Sequence, residues 1–237
     1  MAGPVANDAL QGLFPADGVL ARMRAGAGDS WERYIDHAFV RGLASGTLPE
    51  PCFRHYLVQD YLFLIHFARA YALAAYKGET LEEIRSALRA CSALVDTEMG
   101  LHVTFCAGWG LDEADLQAAP EDTATLAYTR YVMERGMAGD LLDLHAALAP
   151  CVLGYAEIGL RLAADPATRR DGNPYAAWIE MYAGDDYQQV ARGAAAFIEG
   201  LAVRRGGSAR LGSLCKTFGE ATRLEIAFWD QGLAAGK

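Results

Sequence analysis

The chain has 237 residues, 52% of them hydrophobic, and a formal net charge of −9, enough to bury a substantial core in one large domain. Its acidic balance, with basic pairs only at Arg169-Arg170 and Arg204-Arg205, lacks the basic stripe that attracts nucleic acid. Five cysteines, an odd number with no CxxC pair, argue against a disulfide framework or zinc knuckle and for a reducing, cytoplasmic setting.

Residues 1–8 have neither a basic n-region nor an apolar core, so no secretory signal is expected there. No apolar run approaches the roughly 20 residues of a membrane span. Ala, Leu, Glu and Arg are frequent while Val and Ile are sparse, which favours helices over sheets. Glycine- and proline-containing breaks fall at Gly26-Ala27-Gly28, Ser45-Gly46, Lys77-Gly78, Gly108-Trp109-Gly110, Asp165-Pro166, Asp171-Gly172, Gly184-Asp185 and Gly206-Gly207. The segments between them predict about seven to nine helices in a single all-α bundle over 1–237.

In chain order, Asp29-Ser30 offers a first helix N-cap. After Pro49, Phe53, Leu57, Asp60, Leu64, Phe67, Tyr71 and Ala74 share one helical stripe, which puts the Asp60 carboxylate on an apolar face. Thr80 with Glu83 three residues later forms a capping-box pattern. The next stripe, Leu81, Ile84, Leu88, Cys91, Val95, Glu98, His102 and Phe105, buries Glu98 and His102 one turn apart. Leu141, Leu144, Leu148, Cys151, Tyr155, Ile158 and Leu162 then align, with a thiol and a phenol pointing inward together and Asp140, Asp143 and Arg161 solvated. In the last helix Leu211, Leu214, Phe218, Ala221, Glu225 and Phe228 place Glu225 inside. Buried carboxylates need partners, because an unpaired one costs several kcal/mol or neutralises.

Each candidate has a structural reading beside its functional one. An inward Cys is usually a small hydrophobe, and Cys52, Cys91, Cys106 and Cys215 keep that reading. Cys151 stands apart because nearby acids able to manage protons would make its thiolate a useful nucleophile. Asp60 could instead cap a helix or bind a buried Tyr hydroxyl, and Glu225 could pair with Arg223 or Arg130. Phe63, Tyr128, Tyr155 and Tyr182 suit a core or the walls of a pocket for a flat ligand. Glu98 and His102, with His66 and Glu157, are also a candidate di-iron set; mutual satisfaction of the pair is the simpler reading.

At these residues the chain resembles the TenA/thiaminase II family over nearly its whole length. The resemblance is carried by Tyr56-Leu57-Val58-Gln59-Asp60 with His66-Phe67-Ala68, by Glu98-Met99-Gly100-Leu101-His102, and by Ala127-Tyr128-Thr129. It continues through Leu148-Ala149-Pro150-Cys151, Tyr155-Ala156-Glu157-Ile158-Gly159, Trp178 to Asp185, and Glu225-Ile226-Ala227-Phe228-Trp229.

That resemblance implies a haem-oxygenase-like multi-helix bundle without haem, a homotetramer, and neither cofactor nor metal. It implies hydrolysis of 4-amino-5-aminomethyl-2-methylpyrimidine in thiamin salvage, and more slowly of thiamin. Carried over by position, Cys151 would be the nucleophile adding to the ring. Glu225 would be the acid/base, with Tyr155 close to it. Asp60 would bind the ring nitrogen and 4-amino group, and Phe63, Tyr128 and Tyr182 would line the pyrimidine. Glu98 and His102 fall in a stretch expected to be structural. Phe63 stands where the family commonly has Tyr, removing a polar contact. Val152-Leu153-Gly154 replaces a bulkier aromatic stretch, which implies a wider pocket. Two other readings remain: a di-iron oxidase on the same bundle, and a relative that binds a pyrimidine without turning it over.

Overall fold

The computed structural model describes residues 10–236, apart from the side chains of Thr97 and Leu101, and no strand occurs among them. Residues 1–8, read above for a secretory signal, lie outside the described residues. A helical turn at 10–13 precedes α1 (Val19–Ala27), α2 (Asp29–Ile35), α3 (Ala38–Ser45), α4 (Glu50–Lys77) and α5 (Leu81–Ala93). A π-helical turn, Leu94–Glu98, leads into α6 (Met99–Ala107), followed by α7 (Glu113–Ala118), α8 (Thr123–Ala138), α9 (Leu141–Ala164), α10 (Ala176–Ala183), α11 (Asp185–Arg204) and α12 (Leu211–Ala234). More helices form than the seven to nine expected, because α1, α2, α3 and α7 have only 9, 7, 8 and 6 residues, too few to show a period of 3.6.

The breaks sit where glycine permits them. Gly28, Gly46, Gly110, Gly172 and Gly206 all have φ between 55° and 75°, a conformation that other residues rarely adopt. Gly28 is also the residue before α2, so Asp29 lies in the first turn and does not cap it. The chain divides into two compact units: the described residues up to Pro49 with His145–Ile226, and Glu50–Leu144 with the residues from Ala227 onward.

In the first unit, Trp31 stacks on Phe218 with centroids 5.2 Å apart and meets Phe14 and Tyr34 edge-on. Beside it the fully buried Glu157 accepts from Trp31 Nε1 at 3.0 Å, Arg24 at 2.7 Å and Arg161 Nη2 at 2.8 Å. Arg161, expected to be solvated, is instead half-buried and paired. α9 is buried on most of its faces, so it is the one helix among the described residues long and apolar enough to cross a membrane, contrary to the sequence expectation. With 83% of that window buried inside the protein, it reads as a core helix. Pro150 stands within it, and its carbonyl accepts from Tyr34 Oη at 3.3 Å.

In the second unit α4 is the central element, packed against α5, α6, α7 and α8. Its predicted stripe from Phe53 to Ala74 is buried throughout. Thr80 caps α5 by accepting from the Glu83 amide at 3.1 Å. Glu83 reaches back one residue further than expected, to the Glu79 amide at 2.9 Å.

The stripe predicted for 81–105 is wrong over its first half. Leu81, Leu88 and Val95 are 66%, 53% and 48% exposed, while Glu83, Ala87 and Leu94 face inward. Of the second half the π-turn recovers His102 alone, since a turn with one additional residue shifts the phase of every later position by one; Glu98 and Phe105, expected inside with it, are half-buried. An uninterrupted α-helix carrying the 83–87–94 face onward would present position 101. The π-turn presents His102 and Cys106, both buried.

Candidate functional site

The sequence-predicted site residues divide between the two units. In the first, Cys151 and Tyr155 lie one turn apart on α9, the thiol half-buried and the phenol ring 4% exposed. Tyr155 packs against Tyr182 of α10 with centroids 4.8 Å apart, and Trp178 closes the cluster at 4.6 Å from Tyr182. A glycine and a glutamine fix this arrangement. A Cβ on Gly159 would lie 2.5 Å from the carbonyl carbon and oxygen of Tyr182, so α9 and α10 meet backbone to backbone. Gln188 donates to the carbonyls of both Ala156 and Tyr182, at 2.9 and 2.8 Å. Glu225 is buried on α12 beside Ala221 and Thr222. Of the arginines considered for it, Arg223 meets Glu220 at 3.9 Å and Arg130 meets Glu121 at 2.8 Å.

The wider pocket expected from Val152-Leu153-Gly154 does not arise at Gly154. A Cβ there would fall 2.2 Å from the Tyr34 ring, so that aromatic ring occupies the space and glycine admits it. Leu153 is fully buried.

In the second unit Asp60 sits inside, 5% exposed, as the stripe requires. Its Oδ2 accepts from His102 Nε2 at 2.7 Å and from the Tyr56 hydroxyl at 3.2 Å. His102 Nδ1 donates to the Glu98 carbonyl at 2.9 Å. Burial alone pushes the His102 ring down. The hydrogen bond and charge of Asp60, with the charge of Glu98, outweigh it and hold the ring above the usual histidine value. Sequence reasoning named both Asp60 and His102 but did not join them; the signal was a buried acid in need of a partner. Phe63 packs against Tyr128 at 4.9 Å and Phe228 at 5.6 Å. It also borders a surface crevice too narrow to admit a water molecule, with His66, Phe67, Thr129 and Val132.

Three of the candidate di-iron donors are engaged by other side chains. His66 pairs with Glu121 at 2.8 Å, Glu157 is held by two arginines, and His102 is turned to Asp60. No group of three or more His, Cys, Asp or Glu side chains able to hold a metal occurs among the described residues. Of the other cysteines, Cys52, Cys91 and Cys215 donate to backbone carbonyls, and burial pushes the Cys106 thiol up to about 11.

The profile of the TENA/THI-4/PQQC family matches residues 25–235. The chain belongs to this family. An uncharacterised protein of Haemophilus influenzae is 41% identical over 86% of this chain and 93% of its own length. The aminopyrimidine aminohydrolase of Halalkalibacterium halodurans is 35% identical over 84% and 88% respectively. Among solved structures, a TenA family transcription regulator from Silicibacter sp. TM1040 superposes with a TM-score of 0.86 at 47% identity, covering 91% of this chain and 96% of that one. A Shewanella denitrificans domain described as having a heme oxygenase-like fold matches with a TM-score of 0.70 at 14% identity, over 90% and 91% of the two chains. The all-α, haem-oxygenase-like class read from the sequence is therefore the fold of this TENA/THI-4/PQQC family member.

Proposed function

We propose that the protein is an aminopyrimidine aminohydrolase of thiamin salvage. It would convert 4-amino-5-aminomethyl-2-methylpyrimidine and water to the 5-hydroxymethyl pyrimidine and ammonia, and cleave thiamin more slowly. The observation that carries this reading is the half-buried Cys151, one turn from a Tyr155 packed on Tyr182, in a chain 35% identical to a protein of that name. Because the family profile spans both units, we take the whole chain as the functional domain.

In this reading the Cys151 thiolate forms a C–S bond to the pyrimidine ring, and the ring takes up the electron pair. Return of that pair breaks the exocyclic C–N bond, and Glu225 gives its proton to the departing amine. Water then adds to the exposed methylene carbon and returns a proton to Glu225, after which the C–S bond breaks and restores the thiolate. Splitting a poor direct displacement into addition and elimination is the gain of covalent catalysis. Tyr155 would assist the proton transfers, Asp60 would accept from the amino-pyrimidine edge, and Phe63, Tyr128 and Tyr182 would offer aromatic surface to the ring.

The same resemblance implies a homotetramer in the cytoplasm. Exposed Tyr76, Leu81, Leu88, Val95 and Met137 give apolar surface for such contacts, and five free cysteines suit a reducing compartment. The test is to supply the aminomethyl pyrimidine and thiamin separately and identify products by mass. Faster formation of the hydroxymethyl pyrimidine from the first supports the proposal. No hydroxymethyl pyrimidine from either overturns it.

A further inference from the structure

Asp60 is held more firmly than a recognition residue requires. Both hydrogen bonds made to its carboxylate among the described residues end on Oδ2, from His102 and Tyr56. An sp² oxygen has two lone pairs, so Oδ2 is saturated and Oδ1 is the acceptor left to a ligand. On the other side of the imidazole, the Glu98 carbonyl can only accept, which fixes a proton on Nδ1. With a carboxylate facing Nε2 as well, the ring serves as a doubly protonated donor between two oxygens. His102 reaches this place only because the turn Leu94–Glu98 is π rather than α, and such turns concentrate at functional sites.

We propose that His102, turned inward by the π-turn, is a positioning residue that fixes the Asp60 carboxyl so that Oδ1 is the single acceptor offered to the amino group of the substrate ring. The inference rests on the reading of Asp60 as the pyrimidine-recognising residue and adds the group that makes it selective. With both lone pairs of Oδ2 taken by these donors, the carboxyl presents the ring with an acceptor and no donor. The pair therefore favours an amino-substituted ring over its oxo counterpart. The proton affinity of His102 is raised above the usual histidine value, the direction this geometry requires.

The experiment measures calorimetric binding of 4-amino-5-hydroxymethyl-2-methylpyrimidine, which does not turn over, to wild type, Asp60→Asn, His102→Gln and His102→Asn. Glutamine places an amide N–H near the position of Nε2 and keeps the bond to Asp60; asparagine mimics Nδ1 and loses it. The expected result is a loss of about tenfold or more for Asp60→Asn and His102→Asn, the range for a hydrogen bond to a charged group, with His102→Gln within about threefold of wild type. Unchanged binding by Asp60→Asn would overturn the recognition reading itself. Weak binding by Asp60→Asn beside wild-type binding by His102→Asn would overturn the positioning role alone. Equal losses in both histidine variants would mark His102 as merely structural and also overturn it. A measurement independent of variant folding is the ¹⁵N spectrum of the wild-type histidine side chains. An imidazolium that shifts when the pyrimidine is added supports the proposal, and a neutral ring overturns it.

Discussion

Gly159 is where the packing of α9 on α10 leaves least room, and Gly159→Ala measures that closeness directly. The new Cβ would stand 2.5 Å from the Tyr182 carbonyl carbon and oxygen and 2.7 Å from the Ala183 nitrogen. Ordinary contact for such a carbon begins near 3.4 Å, so the helices must separate by about 1 Å. No side-chain rotation can relieve a clash with backbone, and overpacking of this kind costs about 1–3 kcal/mol. For a chain of this size that corresponds to a fall in Tm of about 2–12 °C. Separation also carries Tyr182 away from Tyr155, and a displacement near 1 Å can reduce turnover by about a hundredfold. The control is Gly193→Ala: Gly193 lies exposed in α11 with nothing within 4 Å of the place its new methyl group would take, and there alanine should add about 0.5–1 kcal/mol of stability. Differential scanning calorimetry and an ammonia-release assay on both variants decide the matter. A Gly159→Ala protein as stable and active as wild type would refute the close approach of α9 and α10.

Three further outcomes are expected from the same geometry. Glu157→Gln removes the charge shared by Arg24 and Arg161 from a fully buried site and should cost about 2–3 kcal/mol in a urea melt, at the lower end of buried ion-pair losses because both arginines are partly exposed. Since the folded His102 proton affinity is raised, its contribution is complete below the unfolded histidine value and disappears as pH climbs through the higher folded one. The Tm gap between wild type and His102→Gln should therefore narrow as pH rises from 6 upward. With its thiol pushed up to about 11 and fully buried, Cys106 should resist iodoacetamide at pH 8 until the protein is denatured, as peptide mass mapping would show.

Burial along α4 and α9 was legible because a long amphipathic or apolar helix repeats its phase many times. Asp60 and Tyr155 lie inside as their spacing requires, and Cys151 lies half-buried between inward neighbours. The phase of 81–95 was not, because its predicted stripe contained Leu81, Leu88 and Val95, which the fold leaves exposed. Nor can a constant period anticipate the extra residue of the π-turn, and that residue decides which side chain meets Asp60. The Gly154 expectation failed for a different reason. Local sequence suggested space, but the ring filling it belongs to Tyr34, more than a hundred positions away. Partners drawn from distant segments, such as Arg24 for Glu157, leave no local pattern to read.

Cysteine-dependent hydrolysis is tested most directly by ammonia release from 4-amino-5-aminomethyl-2-methylpyrimidine, with wild type beside Cys151→Ser. Turnover by the wild type and a loss of several orders of magnitude in a variant with unchanged Tm is the expected result. Comparable rates in both proteins would contradict the nucleophile, and no ammonia from either would contradict the proposed reaction.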